Sequence, residues 1–199
     1  MNKPVILCVD DEAMLLRALK QQLKRQFWSD YYIEIVDNGE EALNLVEELL
    51  EDNIELPLVL CDYLMPGMKG DELLKLIHAI APDTLKILLT GQADAAAVGN
   101  AVNNAKLYRY IPKPWEETDF KLTVTEAIRS YFQQKQVAHL TKELAERNRQ
   151  LQQKNEFLGI VVHDLKTPLS AIQNYSDMLR QIEWPKEKVT DFVARNYSQ

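Results

Sequence analysis

The sequence contains no basic run, no long apolar run and only two cysteines among its 199 residues. With no basic run and a formal net charge of −7, it offers no evident surface for nucleic acid or an anionic membrane. Its apolar runs stay at strand length, which excludes a transmembrane helix. Met1 to Pro4 lead straight into a strand, with no secretory segment before it. Cys8 and Cys61 each stand beside an aspartate inside a short apolar run, and read as small core hydrophobes rather than a disulfide. A cytoplasmic setting fits these absences. What is present is the make-up of a globular protein, 46% apolar and 27% charged, long enough for one well-buried domain plus something smaller.

Two continuous apolar runs end on carboxylates. Val5 to Val9 runs into Asp10-Asp11, and Leu58 to Cys61 runs into Asp62, followed at once by a turn rich in Pro and Gly up to Gly70. Such runs are too short for an amphipathic helix and too uniformly apolar for a half-exposed strand, so they read as buried parallel strands. Tyr31 to Val36 alternates more, as an edge strand does; Leu85 to Thr90 and Leu107 to Ile111 complete five strands. Helical patterns lie between and after them: Glu12 to Phe27, a helix started at Asn38-Gly39, Asp71 to Ile80, an Ala-rich stretch from Ala93 to Asn104, and a fifth helix begun at Trp115. Alternating strands and helices predict a parallel sheet covered on both faces. With right-handed crossovers and strand order 2-1-3-4-5, this is an α/β, flavodoxin-like doubly wound fold.

The pattern changes near Thr123. Between Trp115 and Pro168 there is no proline and a single glycine, Gly159. Val137, Leu144, Leu151, Leu158, Leu165, Ile172 and Leu179 recur every seven residues. With these at heptad position a, position d holds Leu140, Arg147, Lys154, Val161, Pro168, Tyr175 and Ile182. That is a coiled-coil seam, apolar at both ends and polar in the middle, and it predicts a homodimer.

The expected topology brings Asp10, Asp11, Asp62, Thr90 and Lys113 to one edge of the sheet, where open α/β sheets bind ligands. Clustered carboxylates repel each other unless a cation or proton intervenes. A hard divalent ion on oxygen ligands fits, and Mg²⁺ is the usual partner of phosphate chemistry. In this setting Asp62 reads as a nucleophile that accepts a phosphoryl group, with Lys113 neutralising charge and Thr90 donating a hydrogen bond.

Asp10-Asp11, Asp62 with Met65-Pro66 and Gly70, Thr90-Gly91 and Lys113-Pro114 together resemble the receiver domain of bacterial response regulators, the CheY-like fold, over roughly Lys3 to Val124. The resemblance implies that Asp62 is the phosphorylated aspartate. It implies that Asp11 is a direct Mg²⁺ ligand, Asp10 an outer one, and the Leu64 backbone carbonyl a further one. It makes Thr90 the switch hydroxyl, Tyr110 the switch aromatic and Lys113 the partner of the acyl phosphate. Leu64 and Gln92 take positions that tune dephosphorylation; an apolar Leu64 cannot orient water.

The second informative stretch is Phe157 to Leu169. His163 falls at heptad position f, away from the seam, beside Asp164, which can orient or deprotonate an imidazole. Pro168 removes the backbone bond to residue 164 and predicts a loosened helix just past the histidine. Phe157-Leu158, His163-Asp164-Leu165-Lys166-Thr167-Pro168-Leu169 resembles the H-box of histidine kinases. The resemblance implies a phosphoaccepting His163, an acid/base Asp164, and a Thr167 that positions water for phosphatase action. Val162 departs from the pattern, where a small polar residue is common. In that family two helices from each of two chains form a four-helix bundle. Trp184-Pro185 would mark the hairpin, and Val189, Phe192 and Val193 the apolar face of a second helix cut short at Gln199.

The expected division is a receiver domain at 1–125, a coiled-coil linker at 126–156 and a truncated dimerisation and H-box segment at 157–199. No Gly-rich nucleotide loop is evident, so ATP is expected only through a kinase domain outside this chain, and no autonomous kinase activity is expected. The expected function is two-component signalling, in which a receiver controls the His163 helix of a longer histidine kinase. The alternative is a non-enzymatic adaptor that dimerises and takes phosphate from separate kinases. The expected partners are a second copy, a phosphodonor kinase or phosphotransfer protein, and a downstream response regulator. Arg129 to His163 span 34 residues, roughly 50 Å as one straight helix at about 1.5 Å per residue. Asp62 is therefore expected to act as an input on His163 rather than as its acceptor within one chain.

Overall fold

A computed structural model describes residues 3–91 and 106–181. The helix expected over Ala93 to Asn104, Gln92, Ile182 and the hairpin from Trp184 onward lie outside the described residues, as does the side chain of Leu179. Internal contacts divide the chain into two units, Met1–His139 and Leu140–Gln199.

The first unit holds a five-stranded parallel sheet of β1 (Val5–Val9), β2 (Tyr32–Val36), β3 (Leu58–Asp62), β4 (Leu85–Thr90) and β5 (Arg109–Pro112). Its order is β2-β1-β3-β4-β5, as the pattern predicts. Among the described residues the helices are α1 (Ala13–Phe27), α2 (Gly39–Glu51), α3 (Gly70–Ile80) and α4 (Glu117–Gln181). Because successive strand residues face opposite sides, each central strand feeds two cores. Leu7, Val9, Val59, Cys61 and Leu88 meet Ala42, Val46, Leu73, Leu74 and Ile77 of α2 and α3. Ile6, Cys8, Leu58, Leu60, Ile87 and Leu89 meet Leu16, Leu19 and Leu23 of α1 and Phe120, Val124 and Ala127 of α4. Each fully buried Val, Leu, Ile or Phe among them contributes about 1.5–3 kcal/mol. Both cysteines are free and buried, on opposite faces of the sheet.

Local chemistry sets the helix starts near the sheet edge. The Asn38 side chain accepts the Glu41 N–H at 2.8 Å and caps α2. Ahead of α1, Glu12 makes no side-chain cap; Asp10 Oδ1 accepts the Glu12 N–H instead, at 2.9 Å. Gly70 opens α3 because a Cβ there would sit on the backbone carbonyl of Asp62. β5 begins two residues later than the pattern suggests: Leu107 and Tyr108 are half-buried, and the strand ladder to β4 starts at Arg109.

In the first unit α4 buries Phe120, Val124, Ala127, Ile128 and Tyr131 at helical spacing. In the second unit the described residues form helix throughout, with Leu144, Leu151 and Leu158 56–62% exposed. The helix continues on both sides of Pro168. The loosening expected there does not end the helix, since a proline forfeits one backbone bond and the residues on either side remain good helix formers.

Candidate functional site

Four of the five strands deliver chemistry at their carboxyl ends. Asp10 and Asp11 follow β1, Asp62 ends β3, Thr90 ends β4 and Lys113 follows β5. Parallel strands in register bring these ends side by side: Asp62 pairs with Leu89, and Thr90 with Pro112. The backbone N–H of Lys113 donates to the Thr90 carbonyl at 2.7 Å and fixes where the lysine leaves the sheet. Its ammonium then bridges two carboxylates, at 2.7 Å from Asp10 Oδ2 and 2.5 Å from Asp62 Oδ1. The other oxygen of Asp62 accepts the Leu64 N–H at 3.0 Å. Asp10 and Asp62 are buried, Asp11 is exposed, and Thr90 is buried.

Charge is not balanced in this pocket. One ammonium faces three carboxylates, whose oxygens lie within 4.8 Å of one another. Burial pushes the Asp62 carboxyl above the ordinary aspartate range, the hydrogen bond from Lys113 opposes that rise, and the charge on Asp10 adds to it. For Lys113, burial alone would lower the ammonium; its bonds to Asp10 and Asp62 outweigh burial and hold it above the usual lysine value. A set of hard oxygen donors with excess negative charge fits a small divalent cation such as Mg²⁺. Asp10, Asp11 and Asp62 are the residues that could hold it.

Asp10, Asp11, Asp62 and Lys113 are thus brought together, with Thr90 at the neighbouring strand end. Tyr110 stands on β5 with 46% of its surface exposed. One detail escapes the sequence: Asp10 is a partner of Lys113 as well as a candidate metal ligand. Asp10 also holds the start of α1, a capping role that its place just ahead of the helix suggests.

In the second unit His163 Nδ1 and Asp164 Oδ1 lie 3.4 Å apart, both well exposed, and Thr167 is exposed one turn further on. An exposed imidazole beside a carboxylate is open to a large partner.

Comparisons with known proteins agree with this geometry. A family model for the response regulator receiver domain matches residues 6–125, and one for the His Kinase A phospho-acceptor domain matches 153–199. The chain is 30% identical over 194 residues to the hydrogenase transcriptional regulatory protein HoxA of Cupriavidus necator, covering 98% of this chain and 37% of that protein. It is 30% identical over 124 residues to the sensor kinase CckA of Brucella abortus, covering 62% of this chain and 12% of the kinase. Among solved structures it resembles the signal receiver domain of an HD domain-containing protein from Pseudomonas fluorescens Pf-5. That match has 32% identity and a TM-score of 0.59, and covers 66% of this chain and 99% of the other. The chain spans little more than a third of the HoxA proteins it matches. No helix among the described residues is long and apolar enough to cross a membrane. By sequence, topology and site, the chain belongs to the response regulator receiver family and carries its receiver domain ahead of a histidine kinase phosphoacceptor segment, the parts of a two-component signalling system.

Proposed function

We propose that Asp62 accepts a phosphoryl group and that its phosphorylation state controls the phosphoacceptor helix carrying His163. The observation that carries this reading is the Lys113 ammonium bridging Asp10 and Asp62 inside a three-carboxylate cluster at the sheet edge. A carboxylate oxygen of Asp62 attacks the phosphorus of a donor phosphohistidine. The P–N bond breaks, the imidazole leaves and takes up a proton, and an acyl phosphate remains on Asp62. Lys113 is already within ion-pair distance of the attacking carboxylate, so it pairs with the phosphoryl oxygens without a large movement. The Thr90 hydroxyl, at the adjacent strand end, donates to the same group, and Tyr110 follows it as the switch aromatic. Asp10, Asp11, Asp62 and the Leu64 backbone carbonyl would hold Mg²⁺, which when bound neutralises charge on the phosphoryl oxygens.

Residues 1–125 form the receiver, 126–156 a coiled-coil linker and 157–199 the dimerisation and H-box segment. His163 is the second phosphoacceptor, Asp164 its acid/base partner, and Thr167 the residue that positions water for dephosphorylation. Two copies pair along the Leu144, Leu151 and Leu158 stripe. A single helix carries both the Phe120 to Tyr131 face that packs on the receiver sheet and His163, which supports coupling by a change in helix pairing or rotation. ATP reaches His163 through a kinase domain outside residues 1–199. A second reading, a dimeric adaptor phosphorylated by separate kinases, is favoured by the match to HoxA, which runs along nearly the whole chain.

Acetyl phosphate with Mg²⁺ should give a phosphorylated band on a Phos-tag gel for the wild type, none for Asp62→Ala and a much weaker one for Lys113→Ala. Equal bands in wild type and Asp62→Ala would remove Asp62 from its role. Coupling is read separately, as a change in His163 autophosphorylation of the complete kinase when Asp62 becomes glutamate. An unchanged rate would sink the control of His163 by Asp62.

A further inference from the structure

A groove of about 820 Å³ lies between α1 and the edge strand β2, and none of Asp10, Asp11, Asp62, Thr90 or Lys113 lines it. Its lining holds five cations and one carboxylate, in a chain whose net charge is −7. Arg17, Lys20 and Lys24 recur at helical spacing on the face of α1 that flanks its buried leucines, and Trp28 continues the same line. Like charges three and four residues apart weaken a helix, so this face gains from an anion. The lone carboxylate, Glu34, offsets only Lys20, at 3.9 Å.

The groove also presents aromatic faces that the fold does not use: Trp28 is 68% exposed and Tyr32 55% exposed. Lys3 ties them together, donating to the Trp28 carbonyl at 3.3 Å while its ammonium stands 5.7 Å from the centre of the Tyr32 ring. Cations beside exposed planar rings are the elements that bind phosphates and stack bases. The hollow has the size of a small-molecule pocket, whereas a membrane surface calls for a flat or convex face. We propose that this groove binds a purine nucleotide carrying two or more phosphates, the phosphates on Arg17, Lys20 and Lys24 and the base against Trp28 and Tyr32. The site is separate from the Asp62 pocket and does not depend on phosphoryl transfer there.

Calorimetric titration of the chain with ATP and with GTP, in EDTA so that divalent ions play no part, tests it. At least one nucleotide should bind saturably and more weakly as salt is raised. Loss of the stacking ring in Trp28→Ala, or of two charges in Arg17→Gln/Lys24→Gln, should weaken binding about tenfold. Both variants change exposed residues only, and circular dichroism checks their fold. Inorganic tripolyphosphate should bind clearly more weakly than the nucleotide. The proposal is overturned if neither nucleotide saturates the chain, if the variants bind as the wild type does, or if tripolyphosphate binds as tightly. Binding to phosphatidylglycerol vesicles with none to nucleotides would overturn it in favour of a lipid surface.

Discussion

Lys86 is the strongest test of how the receiver core is balanced. It lies on β4 with none of its surface exposed, between Leu85 and Ile87. Its ammonium donates to the Thr84 carbonyl at 2.6 Å and the Ala81 carbonyl at 3.4 Å, and stands 3.2 Å from His78 Nδ1. It thereby ties β4 to the carboxyl end of α3, where orphan carbonyls favour a cation. Burial pushes its pKa from 10.5 down to about 8, with Asp83 opposing the drop and Lys106 adding to it. At about 1.4 kcal/mol per pKa unit, keeping this amine protonated costs the fold about 3 kcal/mol at neutral pH. Below pH 8 the folded and unfolded chains both hold the proton, and the cost is constant. Between about pH 8 and 10.5 the folded chain has released it while the unfolded chain keeps it, so stability rises with pH. Guanidinium chloride unfolding of wild type and Lys86→Met across about pH 7.5 to 10.5 isolates the effect, because other titrations cancel in the difference. The stability of wild type relative to Lys86→Met should rise by about 3 kcal/mol over that range. A flat difference would refute the reasoning, whatever the two stabilities are at a single pH.

Three further perturbations follow from particular contacts. Gly70→Ala places a Cβ on the Asp62 carbonyl, backbone against backbone; it should cost about 1–3 kcal/mol in chemical denaturation and slow acetyl phosphate labelling. Asn38→Ala removes the cap that holds the Glu41 N–H and should cost about 1 kcal/mol with labelling of Asp62 unchanged. Leu151→Asp puts a charge in the heptad stripe and should shift the chain from dimer to monomer in analytical ultracentrifugation; an unchanged dimer would locate the pairing surface elsewhere.

Much of the sheet was legible because its signals are local. Val5 to Val9 and Leu58 to Cys61 are apolar on both faces, which only a covered parallel strand needs, and each runs straight into a carboxylate. Once the order β2-β1-β3-β4-β5 holds, Asp10, Asp62 and Lys113 have to meet, and they do. Other features depend on partners distant in sequence. Nothing around Lys86 marks a buried cation, because the carbonyls that accept from it belong to the end of α3 and the turn after it. The double role of Asp10 depends on where β5 releases Lys113. The basic groove is hidden for a different reason: Arg17, Lys20 and Lys24 are three and four residues apart, so they make a face in a helix and no run in the sequence. An overall charge of −7 hides them further.

Whether Asp62 carries the phosphoryl group is tested most directly by chemical trapping. After treatment with acetyl phosphate and Mg²⁺, sodium borohydride reduces an acyl phosphate on aspartate to homoserine, which mass spectrometry locates in the proteolytic peptide. The predicted result is homoserine at position 62, dependent on Mg²⁺, diminished in Lys113→Ala and absent from Asp10 and Asp11. Homoserine at another aspartate, or label retained in Asp62→Ala, would contradict the account.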